Sequence, residues 1–211
     1  MDGFKKIQKK MEENDSFSLS GSTATITLII NKNICLIINL GDNCTIIGRK
    51  VNGKNNSIKV CTIHDISKNK EEVERIKNNR GEVRCNQNNT RMRIFKKDDS
   101  FYPGLCVSRT LGDTYSHDLI SEEPEINVYN LEKEDDFIII GTDAIWEYMT
   151  SQEIVDFIYK RINEKNELEK NIAEEVVKEC KKNWIQKNKS KDIKIFEDIK
   201  TDPNLDNDKK R

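Results

Sequence analysis

Along residues 23–30, "TATITLII", threonine alternates with Ala24, Ile26, Leu28 and Ile30, the two-residue period of a strand with one face buried. "ICLIIN" (34–39) and "CTIIGR" (44–49) predict two further strands, and Gly41 and Asn43 in the intervening "LGDN" are turn formers. Together they read as an antiparallel meander. A fourth strand is expected at "SIKVCTI". The stretch "SKNKEEVERIKNN" then predicts a helix that turns Val73 and Ile76 inward and has Gly81 just past its end. Residues 85–103 show no period and read as an irregular surface excursion.

After the short apolar run "GLCVS", "EINVYN" predicts a strand and "DDFIII" a buried one. Thr150 and Glu153 in "TSQE" form a capping box, and Ile154, Phe157, Ile158 and Ile162 supply the inner stripe of the helix it opens. A second long helix carries Leu168, Ile172, Val176, Cys180 and Trp184 on one face. At the start of the chain, Phe4, Ile7 and Met11 outline a short amphipathic helix. Strands, a helix, strands and helices follow one another without βαβ alternation, which predicts an α+β fold layered on antiparallel sheet.

At 211 residues the chain suits one domain. Lys and Arg number 36 against 37 Asp and Glu, a net charge of -1, so no global field favours nucleic acid or an anionic membrane. The mean hydropathy of -0.76 is low, and "NGKNNS", "NNRGEVRCNQNNT" and "DPNLDNDKKR" carry much of the polarity; the last is expected to be a disordered tail from Thr201. Six cysteines occur without a C-x-x-C pair and with only His64 and His117 beside them, a pattern of reduced thiols rather than a zinc cluster. The N-terminus has no apolar signal core and no run of 18 apolar residues occurs, so a cytoplasmic or nuclear location is expected.

Three segments set acids beside turn residues: "NLGDN" with Asp42, "SRTLGD" with Asp113, and "GTDAIWE" with Asp143 and Glu147. Carboxylates at strand ends suit hard cations such as Mg²⁺ or Mn²⁺. If the backbone turns helically after Asp143, Glu147 shares its face and both could reach one cation. On spacing alone, two acids favoured by a helix dipole explain the pair as well. Cys106 beside Ser108 and Arg109 lacks the phosphate-cradling loop of a cysteine nucleophile; Arg109 and Asp113 read as structural, pairing beneath the site.

Taken in order, "GSTATITLI", "IINLGDN", "EEVERIKNNRGEV", "PGLCVSRTLGD", "ISEEPEI" and "DDFIIIGTDAIWEYMTSQEIVDFI" resemble the metal-dependent protein serine/threonine phosphatases of the 2C type. The resemblance covers roughly residues 20–160. It implies an α-β-β-α sandwich of two mainly antiparallel sheets flanked by helices, a centre of two Mg²⁺ or Mn²⁺ ions, and attack of a metal-activated water on phosphoserine or phosphothreonine. Asp143 matches the family's core metal aspartate, and Asp42 and Glu147 match acids of a third, weaker metal position. Residues 85–103 fall at the flap that influences substrate choice.

This chain departs from the pattern at three places. The family's Asp-Gly-His-Gly-Gly segment, whose aspartate bridges the two metals, does not occur here, so the expected sandwich is incomplete at its N-terminus. A segment outside these residues is then an expected partner, and the chain alone is expected to aggregate. Where the family places a metal-binding acid before its last strand, "SKDIKIFEDI" has Lys191, with Asp192 one position on; a one-residue shift in a strand reverses the side chain's face. Ala144 replaces a glycine and Glu147 an aspartate in the central motif. The expectation is a partial phosphatase domain over 1–200 with a polar tail at 201–211. Its metal candidates are Asp143, Glu147, Asp42 and Asp192, none of these residues is assigned as a catalytic acid, base or nucleophile, and its partner is a phosphoprotein. A non-catalytic, protein-binding domain of the same fold is the alternative.

Overall fold

The computed structural model describes residues 2–85, 91–97, 104–165 and 171–200. The chain divides into two compact units, Met1–Asp143 and Ala144–Arg211.

The first unit opens with helix α1 (Asp2–Glu12), followed by strands β1 (Gly21–Ser22), β2 (Ala24–Ile30), β3 (Ile34–Leu40), β4 (Cys44–Val51) and β5 (Lys54–Lys59). Helix α2 (Lys70–Asn78) leads to β6 (Gly81–Cys85), β7 (Met92–Lys96), β8 (Leu111–Gly112), β9 (Glu125–Asn130) and β10 (Asp135–Gly141). All ladders are antiparallel: β2-β3-β9, β10-β4-β5, and the pairs β1-β8 and β6-β7. Mixed helices and antiparallel sheets are what the sequence predicts.

The meander is corrected in one respect. β3 and β4 do not pair with each other but lie in different sheets, so Gly41, Asp42 and Asn43 form a corner rather than a hairpin turn. Gly41 has φ +99, a conformation open mainly to glycine. Asn39, fully buried at the end of β3, donates its amide to the carbonyls of Gly41, Asn43 and Thr62 at 3.3, 3.2 and 2.7 Å and accepts from the Thr25 hydroxyl at 2.6 Å. Asn43 donates to Leu40 O at 3.3 Å and accepts from Thr23 Oγ1 at 3.2 Å. The corner is therefore fixed by side-chain amides that stand in for the missing ladder.

Alternation on β3 sends Cys35, Ile37 and Asn39 to full burial. On the opposite face, register sets Ile26, Leu28 and Ile30 beside Ile38, Leu36 and Ile34, with Ile126 and Val128 across the strand from Ile38 and Leu36. This face is apolar yet open: Ile26, Leu28, Ile30 and Ile126 are 41–46% exposed and Val128 is 66% exposed. A separate core cluster holds Ile66, Ile76, Ile94, Leu119 and Ile120, with Val73 packed against it.

Other expectations are revised. Ile7 is exposed, and Gln8 takes its place on the buried face of α1, because its amide pairs with both backbone groups of Gly112 at 2.8 and 3.3 Å. Residues 85–103 include β7, which pairs with β6; residues 86–90 and 98–103 of that stretch lie outside the described residues. At the end of α2 the left-handed residue is Arg80, φ 64, and Gly81 already begins β6. β10 is an edge strand with Ile140 half-exposed, not a buried one.

The second unit contains α4 (Ser151–Lys165) and α5 (Ile172–Lys200), preceded by the end of α3 (Asp143–Trp146). The capping box forms as predicted: Glu153 N–H donates to Thr150 Oγ1 at 3.2 Å and Thr150 N–H to Glu153 Oε2 at 2.7 Å. Ile154 and Ile158 on α4, and Val176 and Cys180 on α5, are buried. Trp184 is exposed, Leu168 lies outside the described residues, and Asn183 donates to Tyr148 O at 3.1 Å. The expected last strand is replaced by helix: 190–199 continue as helix within α5, so the strand-face argument for Asp192 does not hold. The proposed tail at 201–211 lies outside the described residues.

Candidate metal centre

Asp42 stands at the corner between β3 and β4, and Asp143 follows β10, which pairs with β4 so that Gly141 lies opposite Cys44. Pairing of the strands thus carries both acids to one end of the sheet. Burial, then the charge of Asp143, and further that of Asp65, push the Asp42 carboxyl above its ordinary range. Arg91 and a backbone hydrogen bond pull the other way without winning. A carboxyl whose ionisation is opposed by burial and by neighbouring carboxylates is a group that a bound cation would stabilise.

Asp65 was passed over in the sequence because "IHDIS" carries no turn glycine and no paired acid. Its carboxylate closes a local turn, accepting from Ser67 N–H at 2.8 Å and Ser67 Oγ at 2.6 Å, with Lys68 Nζ 3.1 Å away. Its burial is outweighed by these partners, and the carboxyl titrates below its usual range. Among the described residues no group of three His, Cys, Asp or Glu converges closely enough to hold an ion. A Mg²⁺-like cation needs only one or two carboxylates and keeps its waters. Among the described residues the corner brings Asp42 and Asp143 to one end of the sheet, carboxylates of the type such a hydrated cation takes.

Glu147 falls just past α3, exposed, in the unit that starts at Ala144; the helix from Asp143 ends before reaching it. Asp192 lies on α5. Asp113 has φ 45 and is buried, accepting from Thr110 Oγ1 at 2.8 Å; burial raises its carboxyl.

Beneath the corner lies a buried ionic network. Arg109 Nη2 donates to Glu72 Oε1 at 2.7 Å and Arg75 Nη2 to Glu72 Oε2 at 3.0 Å, while Ser108 Oγ donates to the same Oε2. Arg109 and Arg75 also donate to the carbonyls of Glu123 and Leu119 at 3.0 and 2.9 Å. Arg109 is structural, as its motif suggested. Glu72 was missed because an i+3 acid in a charged helix looks like solvated surface.

His64 is fully buried. Its Nδ1 accepts Gly41 N–H at 3.0 Å, and its backbone N–H donates to Gly41 O at 2.9 Å. Burial, with the charge of Arg109, lowers its pKa; with Nδ1 accepting from Gly41, the ring carries its proton on Nε2, 3.5 Å from Glu125 Oε2.

Residues 2–189 match the family described as Protein phosphatase 2C. The chain is similar to Protein phosphatase 1A of Homo sapiens, 31% identical over 192 residues, which cover 84% of this chain and 45% of that one. It is 32% identical to Protein phosphatase 1G of Homo sapiens over 177 residues, 76% of this chain and 29% of that protein. Probable protein phosphatase 2C 27 of Oryza sativa subsp. japonica is 40% identical over 94 residues, 38% of this chain and 27% of its own. The chain thus spans between about a quarter and a half of the length of these curated relatives. Among solved structures, the serine-threonine phosphatase 2C from Toxoplasma gondii superposes with a TM-score of 0.71 at 21% identity, over 85% of this chain and 60% of that one, a likeness of fold.

Proposed function

The chain belongs to the protein phosphatase 2C family, and from that membership we propose that it is a protein serine/threonine phosphatase module whose acidic corner takes one Mg²⁺ or Mn²⁺ ion and whose hydrolytic centre these 211 residues do not complete. The family is metal-dependent and acts on phosphoproteins, so its substrate class is phosphoserine and phosphothreonine in protein. A cation bound there supplies polarisation of phosphoryl oxygens and a water of lowered pKa. What the chain itself contributes is Asp42 and Asp143, with Asp65 nearby, held at the ends of rigid strands. Glu147 and Asp192 stand as metal candidates from the sequence alone. The same reading takes 1–200 as a partial phosphatase domain, 201–211 as its tail, and the cytoplasm or nucleus as its place of action.

What supports the reading is the family match over residues 2–189 together with the strand pairing that brings Asp42 and Asp143 to one end of the sheet, where no group of three His, Cys, Asp or Glu converges among the described residues. A second reading, a protein-binding domain without catalysis, is favoured by Ala144 and Lys191 at positions where the family has a glycine and an acid.

The test pairs Mn²⁺ binding by electron paramagnetic resonance with hydrolysis of a phosphothreonine peptide, with Asp143→Ala as control. Binding without turnover, abolished by the substitution, is the expected result. Turnover lost in Asp143→Ala overturns the claim that the centre is incomplete. No Mn²⁺ binding by the folded chain leaves the protein-binding reading.

A further inference from the structure

We infer that His64 is a positioning residue for the acidic corner: its imidazole and backbone clamp the Gly41 peptide and thereby set where the Asp42 carboxylate stands relative to Asp65. The inference rests on the one-cation reading. The clamp has two points, Gly41 N–H to Nδ1 at 3.0 Å and His64 N–H to Gly41 O at 2.9 Å. No other residue fits in place of Gly41, since φ is +99 and Thr23 occupies the space a Cβ would need. Asp42 is the next residue after the clamped glycine, and Asp65 the next after His64, so a single side chain ties the two acid-bearing segments together.

His64 is itself anchored. Its carbonyl accepts Ser108 N–H at 3.1 Å and Ser108 Oγ at 3.2 Å, and Ser108 belongs to the Glu72 network. The far nitrogen, Nε2, makes no hydrogen bond and faces the Glu125 carboxylate at 3.5 Å; Glu125 is held in turn by Thr62 Oγ1 at 2.7 Å. An acceptor at Nδ1 fixes the ring's proton on Nε2, directed at that carboxylate. A histidine that merely fills the core needs no acceptor at Nδ1. Here the Gly41 N–H, buried at a sheet corner, would be orphaned without one.

The inference is tested in the full chain with three substitutions. His64→Asn places an oxygen near Nδ1, His64→Gln places one near Nε2 instead, and His64→Leu has similar bulk and no acceptor. Two quantities are read: exchange of the Gly41 amide by nuclear magnetic resonance without cation, and Mn²⁺ affinity by electron paramagnetic resonance. His64→Leu and His64→Gln are expected to weaken Mn²⁺ binding about 10-fold or more, the usual cost of losing a group that orients a ligand, and to speed Gly41 exchange by a similar factor. His64→Asn is expected to stay close to the unaltered chain in both. Equal Mn²⁺ affinity for the Asn and Gln variants overturns the inference, even if His64→Leu does not fold. If the unaltered chain binds no Mn²⁺, the cation reading falls, and slow Gly41 exchange kept in His64→Gln sinks the clamp as well.

Discussion

Arg109 reaches across 37 residues of sequence to Glu72, with Nη2 2.7 Å from Oε1 and the Glu72 side chain only 5% exposed. Burial pushes the Glu72 carboxyl up, but hydrogen bonds from Arg109, Arg75 and Ser108 outweigh it and hold the group at about 2, against an ordinary 4.5. A carboxyl whose folded pKa lies below its unfolded value stabilises the fold above the unfolded pKa. That contribution is lost as pH falls from 4.5 towards about 2. Thermal melting across this window should therefore steepen downwards in the unaltered chain. In Glu72→Gln the decline should be shallower but not absent, because Asp65 is also depressed. At neutral pH the same variant should be less stable by about 3 kcal/mol, the order expected when one partner of a buried pair is removed and the arginines remain. A variant as stable as the unaltered chain at pH 7 would show that the network is ornamental.

Asp42 has the opposite sign. Its folded pKa is raised, by burial first and by Asp143 next, so the ionised form is penalised in the fold. Stability improves as pH falls through the folded pKa. At neutral pH, Asp42→Asn should raise the melting temperature of the cation-free chain by roughly 2–4 °C per kcal/mol of repulsion removed. With excess Mn²⁺ the order should reverse, since only a chain that binds the ion gains by mass action. A variant destabilised in both conditions would mean that the corner needs the carboxylate for its own hydrogen bonds, and the cation reading would lose its electrostatic support.

Most strands and helices were legible in the sequence because their side chains repeat at two or about 3.6 residues, and Thr150 with Glu153 marks a helix start in any context. What was not legible is long-range. A turn sequence such as "LGDN" specifies a reversal but not whether the strands it joins become partners; burial of Asn39, through contacts with Thr25 and Thr62, sends β3 and β4 to different sheets. Gln8 breaks the apolar stripe of α1 because its partner, the Gly112 backbone, is 104 residues away. β7 is masked by its charges: Arg93 precedes the fully buried Ile94, and Lys96 shares the face of Ile94 at the end of the strand. At the candidate centre, Asp42 and Asp143 could be named from local motifs. Glu72 and His64 could not, because their roles depend on Arg109, 37 positions from Glu72, and Gly41, 23 positions from His64; Asp65 could not, because its partners, Ser67 and Lys68, make an ordinary local turn.

The open face of the β2-β3-β9 sheet leads to the last expectation. Register places Leu28, Leu36 and Val128 in one row and Ile26, Ile38 and Ile126 in the next. None of the six is charged or can hydrogen-bond through its side chain, so covering the face would strand no polar group. Contiguous exposed apolar surface of more than a few hundred Å² is uncommon on monomeric proteins. The hydrophobic effect, roughly 25 cal/mol per Å² removed from water, favours hiding it. The chain should therefore self-associate with rising concentration in sedimentation velocity, and the association should weaken on cooling, as hydrophobic contact does. Leu28→Lys with Val128→Lys puts two like charges into one row, each flanking Leu36, without touching the buried face of Cys35 and Ile37. This double variant should sediment as a monomer with little change in melting temperature. A double variant that unfolds would show that the row is already packed in the monomer. One that associates as before would place the sticky surface elsewhere, with Trp184 and Ile185 on α5, both exposed, the next residues to replace.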